Sequence, residues 1–224
     1  KDTIVQMLFS VMGQSYTDWR LIIRDDMSTD GTPEIIRNFI EHLGLEDRIH
    51  LTVNTEKMWE VKNIVEALKE CEEHEIVCRL DGDDWLCDLD ALAIINHRYK
   101  TMSIDTLWTA HRWSFTPQNI SAMMPPAADP YAYPWVSSHL KTFRKSVISG
   151  VSDENFRNQN GDYFKRIGDQ ALYLPVLHQS KGWHYEPIVA YHYTIDMSPE
   201  TFQTADAKFQ RDEAVFLRHR GFVS

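Results

Sequence analysis

Asp81, Asp83 and Asp84 place three carboxylates within four residues, directly after the run Glu75-Ile76-Val77-Cys78-Arg79-Leu80. That run is short, apolar and bounded by turn residues, which reads as a buried strand. Carboxylates massed at a strand end repel one another unless a cation or a set of donors holds them. Asp81 and Asp83 are two positions apart, so a continuing strand puts both on one face, with Gly82 leaving room between them. This pattern suits a hard divalent cation carrying a phosphate-bearing ligand. An acidic turn is the alternative, since Asp-Gly pairs favour turns. A second acidic pair, Asp25-Asp26, follows the apolar run Trp19-Arg20-Leu21-Ile22-Ile23. Its alternative is a turn cap, like that expected of Ser28 and Asp30.

The elements around these acids alternate between helix and strand, which predicts an α/β fold: a doubly wound, mostly parallel sheet flanked by helices. Ile4, Val5, Leu8, Phe9 and Met12 recur at helical spacing. Thr32-Pro33-Glu34 opens a second helix and Gly44 closes it. Residues 49–53 read as a strand, and Val61, Ile64, Val65, Leu68 and Cys71 as a helical stripe. A further helix is expected over 89–99 and a strand over 106–110. The proline-rich stretch 116–134 breaks the rhythm, as lids and binding loops do. Asp169 opens a helix that Pro175 is expected to kink or displace, and 188–191 reads as a late strand. Ser198-Pro199-Glu200 is expected to cap a last helix carrying Phe202, Phe209, Ala214, Phe216 and Leu217. The chain opens on a helix rather than a strand, so the first, central strand of such a sheet is expected to be missing from it.

At 224 residues the chain fits one domain, and its 43% hydrophobic and 25% charged content is ordinary for a globular protein. No apolar run approaches the ~20 residues that span a bilayer. The three cysteines lack metal-site spacing and read as free thiols of a reducing compartment, the cytoplasm. A formal charge of −10 means that a polyanion such as DNA would need a local basic patch. Lys141, Arg144 and Lys145, with Arg157, Lys165 and Arg166, are the candidates.

The spelling Ser15-Tyr16-Thr17-Asp18-Trp19-Arg20-Leu21-Ile22-Ile23-Arg24-Asp25-Asp26-Met27-Ser28-Thr29-Asp30-Gly31-Thr32 closely resembles the opening of family-2 glycosyltransferases of the GT-A fold. Leu80-Asp81-Gly82-Asp83-Asp84 looks like that family's DXD motif at the expected distance. Gly168-Asp169-Gln170-Ala171-Leu172 resembles the segment holding the family's catalytic base, and residues 184–192 its closing strand. The middle, roughly 108–166, matches only loosely.

The resemblance implies an inverting, metal-dependent glycosyltransferase with a nucleotide-sugar donor, expected to be a UDP-sugar. Its acceptor would be a hydroxyl of a glycan or lipid-linked glycan. Residues 1–105 would form the nucleotide-sugar half, 106–198 the acceptor and catalytic half, and 199–224 a C-terminal helix. Asp25, Asp26 and Asp81 would bind the nucleotide sugar, Asp83 and His192 the metal, Mn²⁺ or Mg²⁺, and Trp135 and His139 the acceptor. Asp169 would be the general base, its pKa raised by the diphosphate and the neighbouring acids. The aspartate's alternative is a helix N-cap. Other readings are transfer to a modified nucleobase in DNA through an entrance at 141–145, a nucleotidyltransferase, or a non-catalytic nucleotide-sugar binding module.

Overall fold

The computed structural model describes residues 3–114, 116–117, 119–195 and 205–224, and the side chains within the last stretch from residue 207. Phe115, the expected cap Ser198-Pro199-Glu200 and Phe202 lie outside the described residues.

The first half alternates as its periodicity demands. Helix α1 (Ile4–Met12) buries Ile4, Met7, Leu8 and Val11, one face at helical spacing. Strand β1 (Leu21–Asp25) leads to α2 (Thr32–Leu43), which Gly44 ends in the left-handed conformation at φ 61°. Strand β2 (Ile49–Val53) then pairs in parallel with β1. Helix α3 (Trp59–Leu68) precedes β3 (Ile76–Arg79), the strand that ends at the acidic triplet.

Beyond it come β4 (Trp85–Leu86), α4 (Ala91–Thr101), β5 (Thr106–Trp113) and β6 (Lys141–Arg144). A single turn, α5 (Lys145–Ile148), and a 3₁₀ turn (Asp153–Phe156) lead to α6 (Gly168–Gln179). Strand β7 (Trp183–Tyr193) and α7 (Ala205–Arg220) complete the described chain.

The strands form a parallel pair, β1-β2, and a five-stranded sheet in the order β3-β6-β5-β7-β4. Within the larger sheet β5 and β7 are parallel, whereas β3-β6, β5-β6 and β4-β7 are antiparallel, so this half is mixed. A cavity of about 930 Å³ is lined by Leu21, Ile22 and Arg24 of β1 and by all four residues of β3. No described strand stands between them.

Two features fix the position of the chemistry. Helix α6 is buried all round, with Ala171, Leu172, Tyr173, Leu174, Val176 and Leu177 inaccessible. It continues through Pro175 as one element, because packing on every side compensates for the missing N–H donor. The Tyr173 hydroxyl lies 2.9 Å from the Leu107 carbonyl and 3.0 Å from that of Thr142, tying α6 to β5 and β6. The first turn of α6 is thereby held over the end of β6.

Candidate active site at the strand ends

In the antiparallel β3-β6 register Arg79 stands directly opposite Lys141. Two cations facing each other across a ladder repel, and burial sharpens the repulsion. Asp169, in the first turn of α6, relieves it. One of its oxygens meets both Lys141 Nζ, at 2.7 Å, and the Arg79 guanidinium. Arg79 also donates to Glu60 and, at 2.8 Å, to Asp81. One buried guanidinium thus joins the start of α3, the end of β3 and the start of α6. Glu60 packs closely on Gly168, whose N–H donates to it at 3.1 Å. A Cβ at position 168 would lie 2.0 Å from the Glu60 side chain, so this approach requires glycine.

The ionisation of Asp169 differs from the sequence expectation. Burial favours the neutral acid, but Lys141 and Arg79 outweigh it and hold the carboxyl well below its usual range. The N-terminus of α6 acts in the same direction. In this ligand-free geometry the nearest charges on Asp169 are cations, not the acids the sequence placed beside it.

His139 lies between Tyr191 and Tyr193, nearly parallel to each ring with both centroids 4.6 Å away. Burial, and then Lys141, push its pKa down, so the imidazole is neutral. Its Nδ1 accepts from Lys141 at 3.1 Å, and its Nε2 stands 3.6 Å from Asp169. Asp84 is buried, accepting from the Tyr191 hydroxyl at 2.6 Å and from the Thr194 N–H at 2.7 Å. Burial nevertheless pushes its pKa up to about 7.

Ligand atoms of Asp81, Asp84 and His139 all fall within 4.8 Å of one another. Two carboxylates fit a divalent cation such as Mn²⁺ or Mg²⁺, and the imidazole could join them only through a ring nitrogen that Lys141 or Asp169 gives up. Asp83 and His192, the residues read from sequence as ligands, stand outside this group. Asp83 is exposed, with its carbonyl accepting from the Thr194 hydroxyl at 2.7 Å. His192 stacks on Trp85 at 3.7 Å, and its Nδ1 accepts from Arg112 at 3.1 Å.

At the end of β1, Asp25 caps the following turn through the Ser28 N–H at 2.9 Å. Asp26 latches the approach to α3: it accepts from Asn54 Nδ2 at 2.9 Å and from the N–H groups of Met58 at 2.8 Å and Trp59 at 3.0 Å. Burial works against its ionisation, yet Met58, Asn63, Asn54 and Lys57 together pull its pKa far down. Trp59 adopts φ 64°, and its ring has Lys57, Lys165 and Arg166 within 5.6 Å.

Asp26, Trp59, Glu60, Arg79 and Asp81 line the large cavity, and a second of about 330 Å³ holds Asp81, Asp169, Trp135 and Tyr193. Glu60, Asp81 and Arg166 line both, so the two spaces meet there. The expected basic entrance at 141–145 is absent, for reasons visible in each side chain. Lys141 is buried on Asp169, Arg144 donates to the carbonyls of Ile104 and Tyr99, and Lys145 pairs with Glu73. Glu60, Arg79 and Tyr191 are site residues that the sequence reading did not single out, and Lys141 was read there only as part of a basic patch. The one signal available for Arg79 was a charge inside an otherwise apolar strand.

A sequence model described as Glycosyl transferase family 2 matches residues 1–149. EpsE of Bacillus subtilis (strain 168), described as a glycosyltransferase, is 36% identical over 85 residues, 37% of this chain and 28% of that protein. TuaG of the same organism, described as a teichuronic acid biosynthesis glycosyltransferase, is 33% identical over 84 residues, 38% of this chain and 32% of that one. The match thus spans about a third of these relatives' length. Among solved structures, S. aureus TarS 1-349 in complex with UDP-GlcNAc superposes with TM-score 0.71 at 17% identity, covering 96% of this chain and 62% of that one. The mannosyltransferase PcManGT from Pyrobaculum calidifontis, in complex with GDP-Man and Mn²⁺, gives TM-score 0.65 at 16% identity, covering 96% and 59%. At such identities the likeness shows the shared GT-A fold.

Two outcomes follow from the charge arrangement. Arg79→Met leaves the carboxylates of Glu60, Asp81 and Asp169 without their common cation, and should cost about 3–5 kcal/mol in denaturant unfolding. Arg37→Ala, which breaks an exposed pair on α2, should cost about 0–1 kcal/mol. Equal costs would refute the keystone role of Arg79. Asp84 has a folded pKa of about 7, above the unfolded value near 3.9. Its contribution to stability is therefore complete below about pH 3.9 and lost as pH rises through about 7. Stability relative to Asp84→Asn, measured without added metal, should fall across that window; a rise would contradict the assignment.

Proposed function

This chain belongs to glycosyl transferase family 2, and we propose that it moves a sugar from a nucleotide sugar, a UDP-sugar, to a hydroxyl of a glycan or lipid-linked glycan. The observation that carries this reading is the meeting of Asp81 and Asp169, from separate strand and helix ends, at one guanidinium where two cavities join. The larger cavity, with Asp26 at its β1 edge and Asp25 holding the turn behind it, takes the donor. The smaller, lined by Trp135 and by Tyr193 with His139 stacked behind it, takes the acceptor. In this division residues 1–105 supply the donor half and 106–198 the acceptor half, while the helix within 199–224 closes the acceptor side.

The reaction is a single in-line displacement with inversion. The acceptor oxygen attacks the anomeric carbon as the bond from that carbon to the diphosphate oxygen breaks, and the hydroxyl proton passes to Asp169. A carboxylate held so far below its usual range is a weak base. It acts by hydrogen bonding the hydroxyl and taking the proton late, once the forming bond has made that oxygen acidic. Arg79 and Lys141 keep Asp169 ionised and aimed. Asp81, Asp84 and His139 would hold Mn²⁺ or Mg²⁺, with Asp83 and His192 as the ligands expected from sequence; the bound ion supplies positive charge that stabilises the departing diphosphate. Asp26 is engaged by the backbone at Met58 and Trp59, so its part at the donor site is to shape the wall beside the base.

Release of nucleoside diphosphate from a panel of UDP-sugars and GDP-mannose, with Mn²⁺ and a mixed glycan acceptor pool, tests this reading. Asp169→Asn should lower turnover by about 10²–10⁴-fold while donor binding persists. Asp81→Ala should abolish donor-dependent metal binding. Turnover undiminished in both variants would sink the proposal.

A further inference from the structure

The chain carries a formal charge of −10, yet cations gather around the mouth of the acceptor space. Arg166 and Arg211 both line the cavity that contains Asp169, Trp135 and Tyr193. Arg211 lines this cavity and is not among the residues of the larger, donor-side one. It projects from α7, is exposed, and makes no ion pair with any described residue. Close by, Lys57, Lys165 and Arg166 crowd within 5.6 Å of the one Trp59 ring, so like charges concentrate along this edge. The inner wall has the opposite sign, with Glu60, Asp81 and Asp169.

The gradient from acidic floor to basic rim restricts what can bind. A neutral hydroxyl can approach the floor, whereas an anionic group there would find Arg79 and Lys141 already taken by the carboxylates. The same group further out would meet Arg211, while a sugar ring between the two can lie against Trp135. Resting on the transferase reading above, the geometry points to an acceptor that is an anionic saccharide chain: it presents a neutral hydroxyl to Asp169 and sets a phosphate or carboxylate on Arg211. Arg211 is then the determinant that selects charged acceptors over neutral ones. The cations of the donor side, Lys57 and Lys165, are not needed for this selection.

Calorimetric titration of the protein with polyphosphate, polygalacturonate and dextran tests the inference, with a parallel UDP titration in Mn²⁺. Polyphosphate, polygalacturonate or both should bind, and weaken as salt is raised, while dextran of the same length does not; the tighter of the two identifies phosphate or carboxylate as the group read. Arg211→Gln should weaken that binding by about tenfold or more and Arg211→Glu further, with the UDP affinity unchanged. Equal binding of all three polymers, no binding of either anion, or insensitivity to both Arg211 variants would overturn the inference. Loss of UDP binding in the unaltered protein would instead overturn the transferase reading, so the two failures are distinguishable.

Discussion

Two positive charges set face to face in a buried ladder would push β3 and β6 apart unless a negative charge lay between them. Asp169 meets that demand for Arg79 and Lys141, and it reaches them only because α6 is packed on all sides and tied to the sheet through Tyr173. The same contacts determine where the acid points and keep it charged. Stability and chemistry therefore share one set of atoms: the helix position, the sheet register and the ionisation of Asp169 are parts of a single constraint.

The acids at the strand ends divide the remaining work according to their donors. Asp25 and Asp26 are satisfied by backbone N–H groups and act on the conformation of the loops beside β1. Asp84 is satisfied by Tyr191 and Thr194, which brings β7 against the end of β3. Asp81, paired with Arg79 and close to Asp84 and His139, lines both cavities. Carboxylates that look alike in the sequence thus differ in what they have left to offer a bound molecule.

Much of this was legible in the chain itself. Apolar periodicity located α1, α2 and β2, and the acids marked the ends of β1 and β3, because these signals depend on neighbours a few residues apart. Strand β6 was hidden by its composition, with Lys141 and Arg144 making a buried strand read as a basic surface. Arg79 and Lys141 gain their meaning from partners as far away as Asp169, 90 positions on from Arg79, which no local pattern encodes. Helix α6 ran through Pro175 for a related reason: packing by distant residues overrode a local breaker. The ionisation of Asp169 was misjudged because its cations were unseen.

Glu60 and Gly168 touch so closely that a change at either is felt at the other. A side chain at 168 would push the acid aside, and an acid withdrawn from 60 would strip Arg79 of a partner and leave the Gly168 N–H unmet. Divergence at the two positions is therefore coupled: a side chain at 168 is accommodated only where the side chain at 60 swings away or shortens. Members of one lineage should show the two sites changing together, a historical signature written by a contact between α3 and α6.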